Sequence, residues 1–267
     1  MHQAVLTWAE EHRRDLPWRR TRDPWAVLVS EVMLQQTQVA RVVPRWHAFL
    51  DRFPTVAACA AAPVGDVIRM WEGLGYNRRA VALHVAARMM GDRVPDDLDA
   101  LLALPGVGPY TARAVLAFAF EREVTPLDVN TARPLVRAFG ARSQGDADRL
   151  VPRGRAWEWN QALMDLGATV CTRRDPDCDA CPLAPGCAWR GAGPDPAAPA
   201  GLQSRFEGSA RQGRGRLVAA LRRAPVPFDR LAETTGWPDA PDRAADVARH
   251  LVADGLAVVD DGMLRLP

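Results

Sequence analysis

An all-α chain in two lobes, followed by a small module of helices and a hairpin, is what this sequence predicts. Three observations carry that expectation. Apolar residues recur at helical spacing from the amino terminus to about residue 190, and glycine and proline punctuate the runs as helix stops do. The same stretch shows neither an alternating strand pattern nor an internal repeat. At 267 residues, 48% apolar and 25% charged, the chain has the balance of an ordinary globular protein and length enough for two cores.

Taken in order, a first amphipathic helix covers 2–13 and stops before Leu16-Pro17-Trp18-Arg19-Arg20. Asp23-Pro24 reads as an N-cap followed by proline at the first helical position. The helix it opens, Trp25 to Gln35, is apolar nearly all round and so belongs in a core. Further helices are expected over 38–52, 64–72, 77–91, 97–103, 110–121, 131–140 and 154–170. Gly, Pro and Ala then dominate, which reads as a linker over 191–206. Beyond it, helical stretches near 213–223, 227–235 and 241–254 precede two short apolar runs around Asp261-Gly262, a hairpin signal. Three helices and a hairpin make 207–267 a winged-helix-like module. Over 191–267 ten arginines meet ten acids, which argues against a strongly basic DNA clamp and leaves docking or a protein contact as alternatives.

No apolar run approaches the roughly 20 residues needed to cross a bilayer. The amino terminus lacks the charged-then-apolar layout of a secretory signal, so a cytoplasmic protein is expected. The formal net charge of +2 does not by itself point to nucleic acid. The chain contains no lysine, so all 34 of its Lys+Arg positions are arginine. That excludes any reaction in which a lysine forms a Schiff base with a sugar aldehyde. Arginine still suits phosphate forks and stacking on bases.

Four stretches carry candidate chemistry. In Leu104-Pro105-Gly106-Val107-Gly108-Pro109-Tyr110-Thr111, Gly106 and Gly108 would let backbone amides approach a DNA phosphate, in a helix–hairpin–helix; a plain interhelical turn is the alternative. Cys171, Cys178, Cys181 and Cys187, spaced C-x6-C-x2-C-x5-C, read as metal ligands rather than disulfides. One tight Cys-x-x-Cys knuckle and the Cys181-Pro182 step suit an iron–sulfur cluster better than zinc, with zinc left open. Cys59 is a core residue. Glu31 lies in Val27-Leu28-Val29-Ser30-Glu31-Val32-Met33-Leu34, where desolvation should raise its pKa and suit it to general acid work; a cap or a buried arginine partner is the bland alternative. Asp128-Val129-Asn130 precedes a helix: either Asn130 is an ordinary N-cap, or Asp128 faces a sugar whose positive charge it steadies or captures, as paired carboxylates do in glycoside hydrolysis.

These residues resemble the adenine DNA glycosylases of the MutY type, within the helix–hairpin–helix base-excision superfamily that includes endonuclease III. The resemblance rests on Leu16-Pro17-Trp18-Arg19, Ser30 to Val39, Gly73-Leu74-Gly75-Tyr76, Leu104 to Thr111, Leu127-Asp128-x-Asn130, Asn160 to Ala168 and the cysteine spacing. Together these cover about residues 5–190. It implies a helical barrel lobe over 17–121 and an iron–sulfur lobe from 1–16 and 122–190, with DNA across the cleft between them. Glu31 would protonate N7 of the departing adenine, and Asp128, beside Asn130, would stabilise or capture the sugar cation. Tyr110 occupies the place where strand-cleaving relatives carry a lysine, and would support the transition state. Trp18, Arg19, Leu34 and Gln161 would line the adenine pocket. Gln36 and Tyr76 would fill the space around the opposite base, and Gly106 and Gly108 would hold the backbone. The four cysteines would carry a 4Fe-4S cluster.

The implied enzyme is a monofunctional glycosylase that flips adenine mispaired with 8-oxoguanine or guanine and hydrolyses its N-glycosidic bond. A monomeric, nucleoid-associated bacterial protein is the matching expectation. Rivals are a thymine or uracil mismatch glycosylase on the same scaffold and a non-catalytic, metal-containing DNA-binding regulator. The sequence also departs from the family. Residues 207–267 are too short for the hydrolase-like domain that often recognises 8-oxoguanine. Asn77 stands where many members have a second tyrosine, and Val129 where many have glycine.

Overall fold

The Asp23-Pro24 pair opens a helix as its spelling suggests: Asp23 Oδ1 accepts the Trp25 amide at 3.0 Å, and the helix runs Pro24–Leu34. A computed structural model describes residues 1–190, 193–197 and 205–267, so the linker expected over 191–206 lies largely outside the described residues. The helices in chain order are α1 His2–His12, α2 Pro24–Leu34, α3 Val39–Arg52, α4 Val56–Ala61, α5 Val64–Met70, α6 Arg78–Met90 and α7 Leu98–Leu102. There follow α8 Pro109–Phe118, α9 Val129–Phe139, α10 Gln144–Arg149, α11 Ala156–Thr169, α12 Ala210–Leu221, α13 Leu231–Thr235 and α14 Pro241–Ala253. Short polar side chains set many starts: Thr55, Asp97, Ser143 and Ser209 each accept a first-turn amide. No helix among the described residues is long and apolar enough to cross a membrane.

Two compact units divide the chain, the first formed by Met1–Glu31, Pro95–Ala103 and Val107–Gly201. Its core joins α1, α9 and α11 through Val5, Leu6, Leu135, Trp159, Leu163 and Leu166, with Cys171 and Leu183 at its edge. Gly167 of α11 lies so close to α9 that a Cβ there would sit 2.0 Å from the Asn130 carbonyl oxygen. Only glycine permits that approach. The segment leading to α9 is pinned by side chains: Asp148 accepts the Thr125 amide at 2.8 Å and pairs with Arg113, and Asn160 Nδ2 donates to the Val124 carbonyl at 2.8 Å.

The second unit comprises Val32–Val94, Leu104–Gly106 and Leu202–Pro267. Phe49, Phe53 and Trp71 form an edge-to-face aromatic group within it, with ring centroids 5.0 and 6.0 Å apart. Its carboxy-terminal part holds α12 to α14 and three short strands, β1 Val226–Pro227, β2 Val258–Asp260 and β3 Met263–Arg265, ordered β1-β3-β2 and antiparallel. Val226 faces Leu264 and Val258 faces Arg265. Asp261 and Gly262 turn the hairpin at φ 45° and 70°, the positive values a tight two-residue turn demands.

Candidate active site

α2 buries every side of itself, and Glu31 is carried in with the rest, 5% exposed among Leu28, Val29, Val32 and Met33. The Tyr110 hydroxyl, from the first turn of α8, donates to its carboxylate. The second oxygen, Oε2, has no hydrogen-bond partner among the described residues. Burial pushes Glu31 up to about 7, and the nearby Asp128 charge adds to it; the Tyr110 hydrogen bond and the Arg19 charge act the other way. An acid with that value is half protonated at neutrality and has one oxygen uncommitted. Burial, with Glu31 and Asp128 beside it, holds the Tyr110 phenol well above its ordinary value, so Tyr110 stays a donor.

Arg19 does not neutralise Glu31 because another acid claims it. In the 3-10 turn Pro17–Arg19, the guanidinium grips both oxygens of Asp165 on α11, at 2.7 and 2.9 Å. Arg14 adds Nε to Asp165 Oδ1 at 2.6 Å and its amide to Oδ2 at 3.1 Å. Burial alone would raise Asp165, but the Arg19 and Arg14 contacts outweigh it and hold the carboxyl below its usual value. Trp18 is buried in the same turn, and Gln161, also buried, lies one turn before Asp165 on α11. Sequence reading gave neither Asp165 nor Arg14 a role. The available signal was the one that marked Glu31: an acid inside an apolar helical run, here Leu163-Met164-Asp165-Leu166.

Asp128, not Asn130, is the N-cap of α9, which starts at 129 rather than 131. Oδ1 accepts the backbone amides of Asn130 and Thr131 at 2.9 and 2.8 Å, and the Thr131 hydroxyl returns to the Asp128 amide in a capping box. Asn130 fails as a cap because Thr131, one residue on, closes the box with Asp128. Among the described residues, only Asn130 Nδ2, at 3.4 Å, lies on Asp128 Oδ2. Arg133 in turn holds Asn130 Oδ1 at 3.1 Å and ties it to the Gly167 carbonyl at 2.9 Å. The capping and sugar-facing readings are therefore compatible, because they use different oxygens. Asp128 also borders an open cavity of about 750 Å³ whose wall includes Arg133, Arg173 and Arg174.

Leu34, Gln36, Tyr76 and Gly106 belong to the second unit. Gln36 and Tyr76 are exposed and hold positive φ of 56° and 45°, which a side chain adopts at a cost of order 1 kcal/mol. Arg79, which sequence reading passed over, holds both turns. Its guanidinium donates to the carbonyls of Val32, Met33 and Gln35 on one side and of Leu74 and Gly75 on the other, at 2.5 to 3.1 Å. Burial pushes Arg79 down to about 10, still protonated at neutral pH. Backbone acceptors leave no mark in a sequence, so nothing there could have revealed this. At the glycine turn, Gly106 has φ +80° and a Cβ there would meet Ala82 at 2.9 Å. Gly108 caps α8 with open space where a Cβ would go, so a ligand can come close to the backbone.

Cys171, Cys178, Cys181 and Cys187 are all unpaired, and all four line one small cavity together with Arg137 and Leu183. Arg137 Nη1 and the Arg190 amide each donate to a sulfur, of Cys171 and Cys187, at 3.3 Å. Among the described residues no three ligands converge as a single metal ion requires. Such donors around a shared cavity suit thiolates spread over the corners of a larger cluster.

The HhH-GPD superfamily base excision DNA repair protein family matches residues 29–158, a span that holds Glu31, Tyr110 and Asp128. The chain is 44% identical to the adenine DNA glycosylase of Mycolicibacterium smegmatis, over 94% of this chain and 90% of that one. So high a coverage leaves too little unmatched to omit the carboxy-terminal module. Among solved structures, a thermostable thymine-DNA glycosylase is similar at 32% identity and a TM-score of 0.66, covering 70% of this chain and 94% of that one. A trapped endonuclease III–DNA covalent intermediate shares the fold at 22% identity and a TM-score of 0.61, covering 70% and 92%. By sequence along nearly its whole length, and by the fold that carries its buried acid, this chain belongs to the adenine DNA glycosylase family of HhH-GPD base excision repair proteins.

Proposed function

We propose that this protein removes adenine mispaired with 8-oxoguanine or guanine, flipping the nucleotide out of the duplex and hydrolysing its N-glycosidic bond. The observation that carries the reading is Glu31: buried, poised near 7, and with Oε2 open beside Tyr110 and the Asp128 charge. Glu31 gives its proton to purine N7, the bond from sugar C1′ to N9 breaks, and its electron pair leaves with the base. Asp128 Oδ2 faces the oxocarbenium-like sugar, as the anion does in glycoside hydrolysis. Water then adds at C1′, and its proton returns to Glu31. Tyr110 holds the acid in place, and Asn130 orients Asp128. Trp18, Arg19 and Gln161 shape the first unit's side of the adenine pocket, with Asp165 and Arg14 fixing Arg19.

With no lysine in the chain, no lysine Schiff base forms with the opened sugar, and the product is an intact strand with an abasic site. Gln36 and Tyr76 contact the opposite base, the amides at Gly106 and Gly108 hold a phosphate, and Arg173 and Arg174 add charge for the backbone. The four cysteines would hold a 4Fe-4S cluster, which braces the adjoining loop and takes no part in bond cleavage. The protein acts as a monomer.

A duplex panel tests the assignment. Adenine opposite 8-oxoguanine and opposite guanine should be excised, while thymine or uracil opposite guanine should be left. Asp128→Asn keeps a good helix cap and should bind the duplex yet lose excision by at least a hundredfold. Excision of thymine or uracil in place of adenine would overturn the substrate, and near-normal turnover of Asp128→Asn would overturn the site.

A further inference from the structure

A buried carboxyl can give up a proton at neutral pH only while no cation stands against it. On α2 the Glu31 neighbours Leu28 and Val29 are apolar, and Ser30 commits its hydroxyl to the Val27 carbonyl at 2.7 Å. The groups that bear on the Glu31 charge come from three other elements: Tyr110 of α8, Asp128 at the head of α9, and Arg19 of the Pro17–Arg19 turn. Of these, Arg19 alone is a cation. An opposite charge within about 4–6 Å lowers a carboxyl by about one to three pH units, enough to strip an acid of its proton at neutrality.

Asp165 of α11 deals with that cation. Its Oδ2 accepts Arg19 Nη1 at 2.7 Å and the Arg14 amide at 3.1 Å, and its Oδ1 accepts Arg14 Nε at 2.6 Å and Arg19 Nη2 at 2.9 Å. Two bonds on each oxygen fill the acceptor sites of a carboxylate. Arg19 Nη1 also donates to the Arg14 carbonyl at 3.0 Å, so the guanidinium is fixed from two sides.

Orientation alone does not explain an anion at this place. A neutral acceptor, an amide or a backbone carbonyl, could aim the same guanidinium, but it would leave a bare positive charge buried near Glu31. The side chains of Arg19 and Asp165 are both buried and together carry no net charge. Arg14 is partly exposed, where solvent screens it.

We propose that Asp165 is a positioning residue for excision: by gripping and neutralising the Arg19 guanidinium, with Arg14 locking the pair, it leaves the proton on Glu31. Arg19 can then stand at the adenine pocket without ionising the acid beside it. The role rests on the glycosylase reading, which gives that proton its destination. Asp165 itself touches neither base nor sugar in this scheme and acts only through Arg19.

Full-length protein is assayed by single-turnover excision of adenine opposite 8-oxoguanine from pH 5 to pH 9. Asp165→Asn should move the midpoint of the decline down by about one pH unit, so that its rate at pH 7 relative to pH 5 falls roughly fivefold below the wild-type ratio. Arg19→Gln removes the cation, leaves Asp165 on Arg14, and should move the midpoint up; it carries the test if Asp165→Asn does not fold. The Glu31 carboxyl is also followed directly, by NMR of protein labelled with carbon-13 at the glutamate carboxyl, its resonance assigned by its absence from Glu31→Gln. Its titration should shift in the same two opposite senses. Midpoints within about 0.3 pH unit of wild type in both variants, with rates lowered equally at every pH, would reduce Asp165 to a structural anchor and overturn the role. A shift of both in one direction would do the same. Glu31 titrations that move as stated in a protein that removes no adenine leave the charge arrangement standing and remove the glycosylase reading; excision of adenine with unmoved Glu31 titrations does the reverse.

Discussion

Glu31→Gln tests, through its effect on stability, whether Glu31 is held protonated in the fold as the acid role requires. The folded value of about 7 stands above the ordinary 4.5. A raised value means that the protonated side chain's favourable contribution is whole below about pH 4.5 and is lost as pH rises through about 7. At about 1.4 kcal/mol per pH unit, ionising Glu31 in the fold costs about 3 kcal/mol once the pH is well above 7. Between pH 5 and pH 8 the wild type should lose roughly 2–3 kcal/mol that a neutral glutamine keeps. Any fixed cost of placing an amide on the unpartnered Oε2 position is the same at both pH values and cancels. Urea denaturation of both proteins, followed by far-ultraviolet circular dichroism at pH 5, 6, 7 and 8, reads the difference. Glu31→Gln should gain on the wild type across the series while excising no adenine. Stability curves that stay parallel within about 0.5 kcal/mol would mean that Glu31 is not held protonated, and the acid role would fall with that.

Single-turnover excision by the wild type should decline as pH rises through about 7, nearing tenfold per pH unit well above it, because only protonated Glu31 has a proton to give. A flat profile from pH 6 to 9 would place the proton elsewhere. Asp165→Asn leaves the buried Arg19 without its bidentate anion and should cost about 3–5 kcal/mol in denaturation; a loss below 1 kcal/mol would mean the pair is dispensable. Cys181→Ser should lower bound iron and the visible absorbance of the purified protein together, while an unchanged iron content would remove Cys181 from the ligand set.

Much of the fold was legible because helix signals are local. The Asp23-Pro24 start, the glycine stops and the Asp261-Gly262 turn each concern neighbouring residues. Glu31 was legible for the same reason, as an acid with apolar neighbours in its own helix. Asp128 was half legible: its place before α9 was evident, but which of two polar residues would cap depended on Thr131 closing the box. Asp165 went unread because Arg14 and Arg19 lie about 150 residues earlier in the chain. The strand Val226–Pro227 is two residues long and carries no period to detect, and α10 is short and largely polar. Arg222 of α12 donates to Asn77 Oδ1 at 2.7 Å, and a contact between residues so far apart in the chain leaves no local pattern to read.

Arg79 makes Gln36 and Tyr76 mechanically one object, since a single side chain fastens the turns that carry them. Changes at the two positions should then fail to add: a substitution that shifts one turn reaches the other through the shared clasp, and the double mutant reports the clasp rather than two separate fingers. Evolution on this scaffold would have to retune both contacts at once, or first replace the arginine that binds them together.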